Sequence, residues 1–95
     1  MRKVVITGMG VVSPQGNDVP EFWDNLKEGV CGIAPITRFD TANYRVKVAG
    51  EVRGFDPRKY MEKLDVLHSD VYTHYAMAAA VQAVEESGII GTVDP

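Results

Sequence analysis

Ser69-Asp-Val-Tyr-Thr-His-Tyr-Ala-Met-Ala-Ala-Ala-Val-Gln-Ala-Val-Glu-Glu-Ser87 contains neither Gly nor Pro and is followed at once by Gly88. That pattern predicts one long helix with a glycine stop. On a helical wheel Val71, Tyr72, Tyr75, Met77, Val81, Val84 and the alanines leave almost no polar face in its middle. A helix that is apolar all round is a buried helix, and the alanines allow neighbours to approach closely. Leaving Val71, Met77, Val81 and Val84 in water would cost on the order of 6–12 kcal/mol, comparable to the whole net stability of a small domain. The fold therefore has to supply cover on several sides of this one element.

Working outward, Lys3-Val-Val-Ile-Thr-Gly-Met-Gly-Val-Val12 is a short β-branched apolar run. It predicts a strand buried on both faces, as in a sheet flanked by helices. Ser13 to Asn17 is a loop by its turn residues. Asp18-Val-Pro-Glu21 then opens a helix with a capping carboxylate, an early proline and a glutamate at the third position. Val19, Phe22, Trp23, Leu26 and Val30 follow at helical spacing, and Gly29 supplies a left-handed stop. Ile33 to Ile36 and Phe39 to Thr41 read as an irregular connection with apolar anchors. Tyr44-Arg-Val-Lys-Val48 alternates and predicts a half-exposed strand, with Glu51-Val52 as its possible continuation. Asp56-Pro57 caps a short helix running to about Met61 or Leu64. These elements are too few to cover a two-faced strand and an all-round apolar helix. The 95 residues are therefore expected to be the N-terminal part of a larger layered α/β protein, with no second domain of their own.

Composition narrows the function. With 45% apolar and 24% charged residues the chain is of the globular class. Ten Lys and Arg against thirteen Asp and Glu, a net charge of -3, provide no basic field to hold a phosphate backbone, so nucleic acid is not an expected partner. The single cysteine excludes an internal disulfide and a multi-cysteine metal site, and fits a reducing compartment. Thr7, Gly8 and Gly10 interrupt the first apolar run well short of a membrane span or signal core. A cytoplasmic protein without membrane attachment is the expectation.

Few residues invite chemistry. Gly8-Met-Gly10 after a strand suggests dinucleotide binding, but Ser13 and Pro14 stand where the third glycine and the helix should be, so close packing is the better reading. Cys31 lies just past a helix C-terminus, where the dipole disfavours thiolate, and reads as a small buried or half-buried structural residue. His68, placed at a helix N-terminus, and His74, on the long helix, are six apart rather than four, which gives no shared metal site. Asp18/Glu21 and Glu85/Glu86 read as a cap and a solvated helix end. No cofactor, metal or catalytic residue is expected from these residues.

Taken together, Val4-Val-Ile-Thr-Gly-Met-Gly-Val-Val-Ser-Pro-Gln-Gly-Asn17, Phe22-Trp23 with Leu26 and Gly29, Gly32-Ile33, Pro35-Ile36, Arg38-Phe39-Asp40-Thr41, Ala49-Gly-Glu-Val52, Phe55-Asp-Pro57 and Tyr75-Ala76 resemble the N-terminus of β-ketoacyl-acyl-carrier-protein synthases. The type II elongating enzyme of bacterial fatty acid synthesis is the most similar subtype, and polyketide ketosynthases share the opening motif. The resemblance extends from residue 2 to about residue 90. It implies a thiolase-like αβαβα fold of two similar halves, a homodimer when complete, and decarboxylative condensation of malonyl-acyl carrier protein with an acyl thioester. It also implies that the nucleophilic cysteine and two histidines lie beyond this stretch, so this chain by itself is inert. Related synthases carry Lys and Arg before the long helix to dock the acidic acyl carrier protein. Here only Lys63 and a protonated His68 match that role, among Glu62, Asp65 and Asp70. A polyketide ketosynthase segment and a short non-catalytic interaction module are the alternatives that the sequence leaves open.

A structural role for Cys31 has a direct test. In the intact protein, Cys31→Ser is expected to leave the condensation that the resemblance implies near wild type, measured as turnover of malonyl-carrier. A large loss of turnover with the fold preserved would contradict it.

Overall fold

The computed structural model describes residues 2–92. It divides into two compact units, Ser13–Phe55 and a second made of Met1–Val12 with Asp56–Pro95.

In the first unit a tight turn opens the chain: Ser13 N–H donates to the Gly16 carbonyl at 2.9 Å and Gly16 N–H returns the bond at 3.2 Å. Helix α1 (Val19–Lys27) begins where expected, with the Asp18 carboxylate accepting from Glu21 N–H at 2.9 Å and Pro20 in the first turn. That bond satisfies one of the helix's free donors. Asn25 and Gln15 tie the helix to the turn: Asn25 Nδ2 donates to the Gln15 carbonyl at 2.6 Å, and Gln15 Nε2 to the Val30 carbonyl at 2.8 Å.

The sheet differs from expectation. Ile33–Pro35, read as irregular, forms β1, which pairs antiparallel with β2 (Val48–Gly50) in the register Ile33 to Gly50, Ala34 to Ala49 and Pro35 to Val48. The predicted strand over residues 44–48 is thus shifted toward its C-terminal end. The cause is local: Tyr44 N–H is taken by the Thr41 carbonyl at 3.0 Å, and the Lys47 ammonium also reaches that carbonyl. Phe39 and Tyr44 pack edge to face across the turn with centroids 5.6 Å apart. A ladder starts only where a partner is free to pair.

In the second unit Asp56 caps a single 3-10 turn, Pro57–Lys59, through Arg58 N–H at 3.0 Å. The expected helix to Met61 or Leu64 ends there, because Glu62 is extended, with φ -64 and ψ 150. A separate helix, α2 (Lys63–His68), follows, and His68 is its last residue rather than a helix N-terminus. The Ser69 hydroxyl closes α2 on the Asp65 carbonyl. Helix α3 (Val71–Ser87) is the long helix of the sequence, started by Asp70 and ended by Gly88 at φ 65, a left-handed conformation that a side chain disfavours. His74 Nε2 lies 3.1 Å from the Val66 carbonyl, an acceptor only, so this nitrogen carries the proton and links α3 to α2.

Residues 3–12 form no strand, which corrects the expectation, and among the described residues no backbone group pairs with residues 3–10. They lie instead on α3. A Cβ at Gly8 would sit 2.2 Å from the Ala83 carbonyl oxygen, and one at Gly10 would sit 1.9 Å from that of Ala79. Two extended residues span about 6.6 Å and four helical residues about 6.0 Å, so the paired contacts fit a segment running extended and antiparallel to α3. Gln82 fixes it from the side: its Oε1 accepts from Val11 N–H at 3.0 Å while its Nε2 donates to Tyr60 Oη at 3.3 Å. The outer side of the segment is bare, with Val4 97% and Ile6 82% exposed.

The cover of α3 is partial, as its sequence requires for a chain with so few other elements. Ala78 is the one buried apolar residue among those described, and Tyr72 remains 74% exposed.

The contact at Gly10 predicts a steep substitution cost. Gly10→Ala should destabilise the full-length protein by roughly 1–3 kcal/mol, as overpacking does. Gly29→Ala should lose less, about 1 kcal/mol for its positive φ alone, because no atom lies within 4 Å of the added methyl. Denaturant titration of both variants checks the order, and equal losses would contradict the packing.

Candidate functional site

The 3-10 turn, α2 and the start of α3 surround an open groove of about 720 Å³. Arg58, Lys59, Tyr60, Met61, Glu62, Asp65, His68, Ser69, Thr73 and Met77 line it. Of the two residues that sequence reading offered for docking, His68 lines the groove and Lys63 does not. Arg58 and Lys59 were missed. They follow Asp56-Pro57 directly, so in sequence they read as the body of a capped helix, and only the break at Glu62 turns them toward His68.

Charge across the groove is balanced rather than basic. Arg58 Nε stands 3.4 Å from Asp56 Oδ1. The backbone N–H of Arg58 holds the Asp56 carboxyl below its usual range; burial, the next largest effect, opposes it, and the Arg58 side chain adds a smaller lowering. Lys59 shares the lining with Glu62, Asp65 and His68, and Lys63 stands next to Glu62 in sequence. Between these charges Leu64 and Leu67 stand 68% and 67% exposed. The surface suits a partner of mixed character, with no single strong field to steer it.

The remaining candidates resolve individually. Gly8 and Gly10 face carbonyl oxygens of α3. Those oxygens repel a phosphate, so the close-packing reading of the glycines holds. Cys31 is exposed, contrary to the buried or half-buried placement expected for it. It sits just past α1 beside a pocket of about 380 Å³ with Pro14, Gln15, Gly32 and Ile33, none of them a base that could take its proton. Its Sγ reaches the Ile33 carbonyl at 3.5 Å. Among the described residues no group of three His, Cys, Asp or Glu side chains could hold a metal, and no helix is long and apolar enough to cross a membrane.

Glu51, which sequence reading treated only as strand, is the one buried charged side chain among the described residues. Its carboxylate accepts from Thr37 N–H at 3.0 Å, from the Thr37 hydroxyl at 2.9 Å and from Arg38 N–H at 3.2 Å, with Arg38 Nε at 3.9 Å. The cluster pins the chain just after β1 to the end of β2. Its signal in sequence is slight, an acid placed in an otherwise apolar Val48-Ala-Gly-Glu-Val52 run.

The chain matches the family described as beta-ketoacyl synthase, N-terminal domain, over residues 1–94. The chain belongs to that family. It is 47% identical over 88 residues to the 3-oxoacyl-[acyl-carrier-protein] synthase 2 of Coxiella burnetii, covering 93% of this chain and 21% of the relative. The enzyme of the same name from Vibrio cholerae matches with the same identity and coverage. That of Staphylococcus aureus is 45% identical over 86 residues, covering 90% of this chain and 21% of the relative. Among solved structures, the ishigamide ketosynthase/chain length factor superposes with a TM-score of 0.79 at 38% identity, covering 88% of this chain and 21% of that one. This ketoacyl-synthase domain thus spans about a fifth of the length of the curated relatives it matches.

The Glu51 cluster predicts an acid-sensitive loop. The Thr37 backbone N–H, opposed in part by burial and helped by the Thr37 hydroxyl and by Arg38, holds the Glu51 carboxyl below its ordinary 4.5. A carboxyl lowered on folding stabilises fully above its unfolded value and loses that contribution as pH falls through the lowered one. Amide exchange at Thr37 and Arg38 in the full-length protein should therefore accelerate below pH about 4.5 beyond the intrinsic rate. Glu51→Gln should be fast at neutral pH. Slow exchange in that variant would remove Glu51 from this role.

Proposed function

We propose that this chain is the N-terminal part of a β-ketoacyl-acyl-carrier-protein synthase, an acyltransferase of fatty acid elongation. Family membership over residues 1–94 carries the reading, and the names of the curated relatives give it its substrate class. In that reaction an acyl group passes from its carrier thioester to a cysteine of the enzyme. Malonyl-carrier then loses CO₂, and the electron pair of the broken bond attacks the acyl carbonyl, with the cysteine thiolate leaving. The reaction is balanced without a redox partner or a cofactor. The cysteine and two histidines that perform it are assigned to the part of the enzyme beyond this chain. Cys31 is not the nucleophile on this reading, for it follows a helix C-terminus and faces no base.

The contribution of these residues is architectural. They form the start of the first half of a thiolase-like αβαβα fold, in which the bare side of residues 3–10 and the exposed parts of α3 are covered by the rest of the protein. The complete enzyme is a cytoplasmic homodimer. A polyketide ketosynthase is the second reading, favoured by the likeness to the ishigamide ketosynthase/chain length factor.

Docking of the acyl carrier protein is assigned to the groove beside α2, through His68, Arg58 and Lys59 of its lining and through Lys63, which stands on α2 outside the lining. The charges are exposed, so each is worth well under a few kcal/mol. Arg58→Glu and Lys63→Glu in the full-length enzyme should each raise KM for the carrier substrate by roughly 2–5-fold with kcat unchanged, as removal of a rim ion pair would. An unchanged KM in both would place docking elsewhere. The 95-residue chain assayed by itself should give no condensation, and any turnover would contradict the assignment of the catalytic groups.

A further inference from the structure

We draw no further inference here: the strongest candidate, the exposed apolar side chains Leu64 and Leu67 of α2, lies on a helix that borders the groove already described, and nothing in the structure shows what covers it.

Discussion

The approach of residues 8–10 to α3 is the contact on which the second unit depends. Two glycines and two alanines bring a backbone segment onto a helix so closely that a methyl group on Gly10 would stand 1.9 Å from a carbonyl oxygen. At that range no side chain intervenes, so the register of the segment is set by the helix itself. Ala79 and Ala83, four apart, match Gly8 and Gly10, two apart, only for an extended chain. Gln82, between them in sequence, then bonds to Val11 N–H and Tyr60 Oη, so one helix face positions both the N-terminal segment and the 3-10 turn. The groove that carries the docking proposal inherits its shape from this arrangement.

An incomplete cover follows from the same contact. One side of the segment meets α3, and the other presents β-branched side chains and unpaired peptide groups to water. The first forfeits the free energy of burial, and the second, though solvated by water, leaves an open strand edge on which another segment can pair. The chain spans about a fifth of the length of the curated relatives it matches, and the proposed function assigns the cover of this surface to the remainder. The groove proposed for docking is different: its charges are balanced and its apolar residues few. Carrier recognition on this surface would rely on shape and short-range contacts more than on long-range attraction.

Much of the helical architecture was legible because its signals are local. Asp18 with Glu21 and the glycine stop at Gly88 mark ends by local chemistry alone, and the structure places α1 and α3 within two residues of expectation, with Asp70 as the cap that the sequence reading did not single out. Sheet structure was less legible because pairing is not local. Residues 3–12 have strand composition without a partner, and Ile33–Pro35 has a partner despite an ordinary loop composition. Helix α2 was missed because it is only six residues long and lacks a capping side chain, so nothing in Glu62 announces it. Lys63 and His68 were singled out through family likeness, and of the two His68 lines the groove; Arg58, Lys59 and Glu51 needed coordinates, because what matters about them is what stands beside them. Cys31 was placed on the right side of the helix dipole and on the wrong side of the surface.

On the proposed function, residues 3–10 are an extended segment that becomes a strand once the rest of a ketoacyl synthase supplies its partners. Amide hydrogen exchange over these residues tests it, comparing the 95-residue chain with the full-length protein. Exchange near the intrinsic rate in the short chain, with strong protection in the long one, is the predicted result. Equal exchange in the two would show that nothing beyond this chain pairs with the segment, and would overturn the proposed architecture.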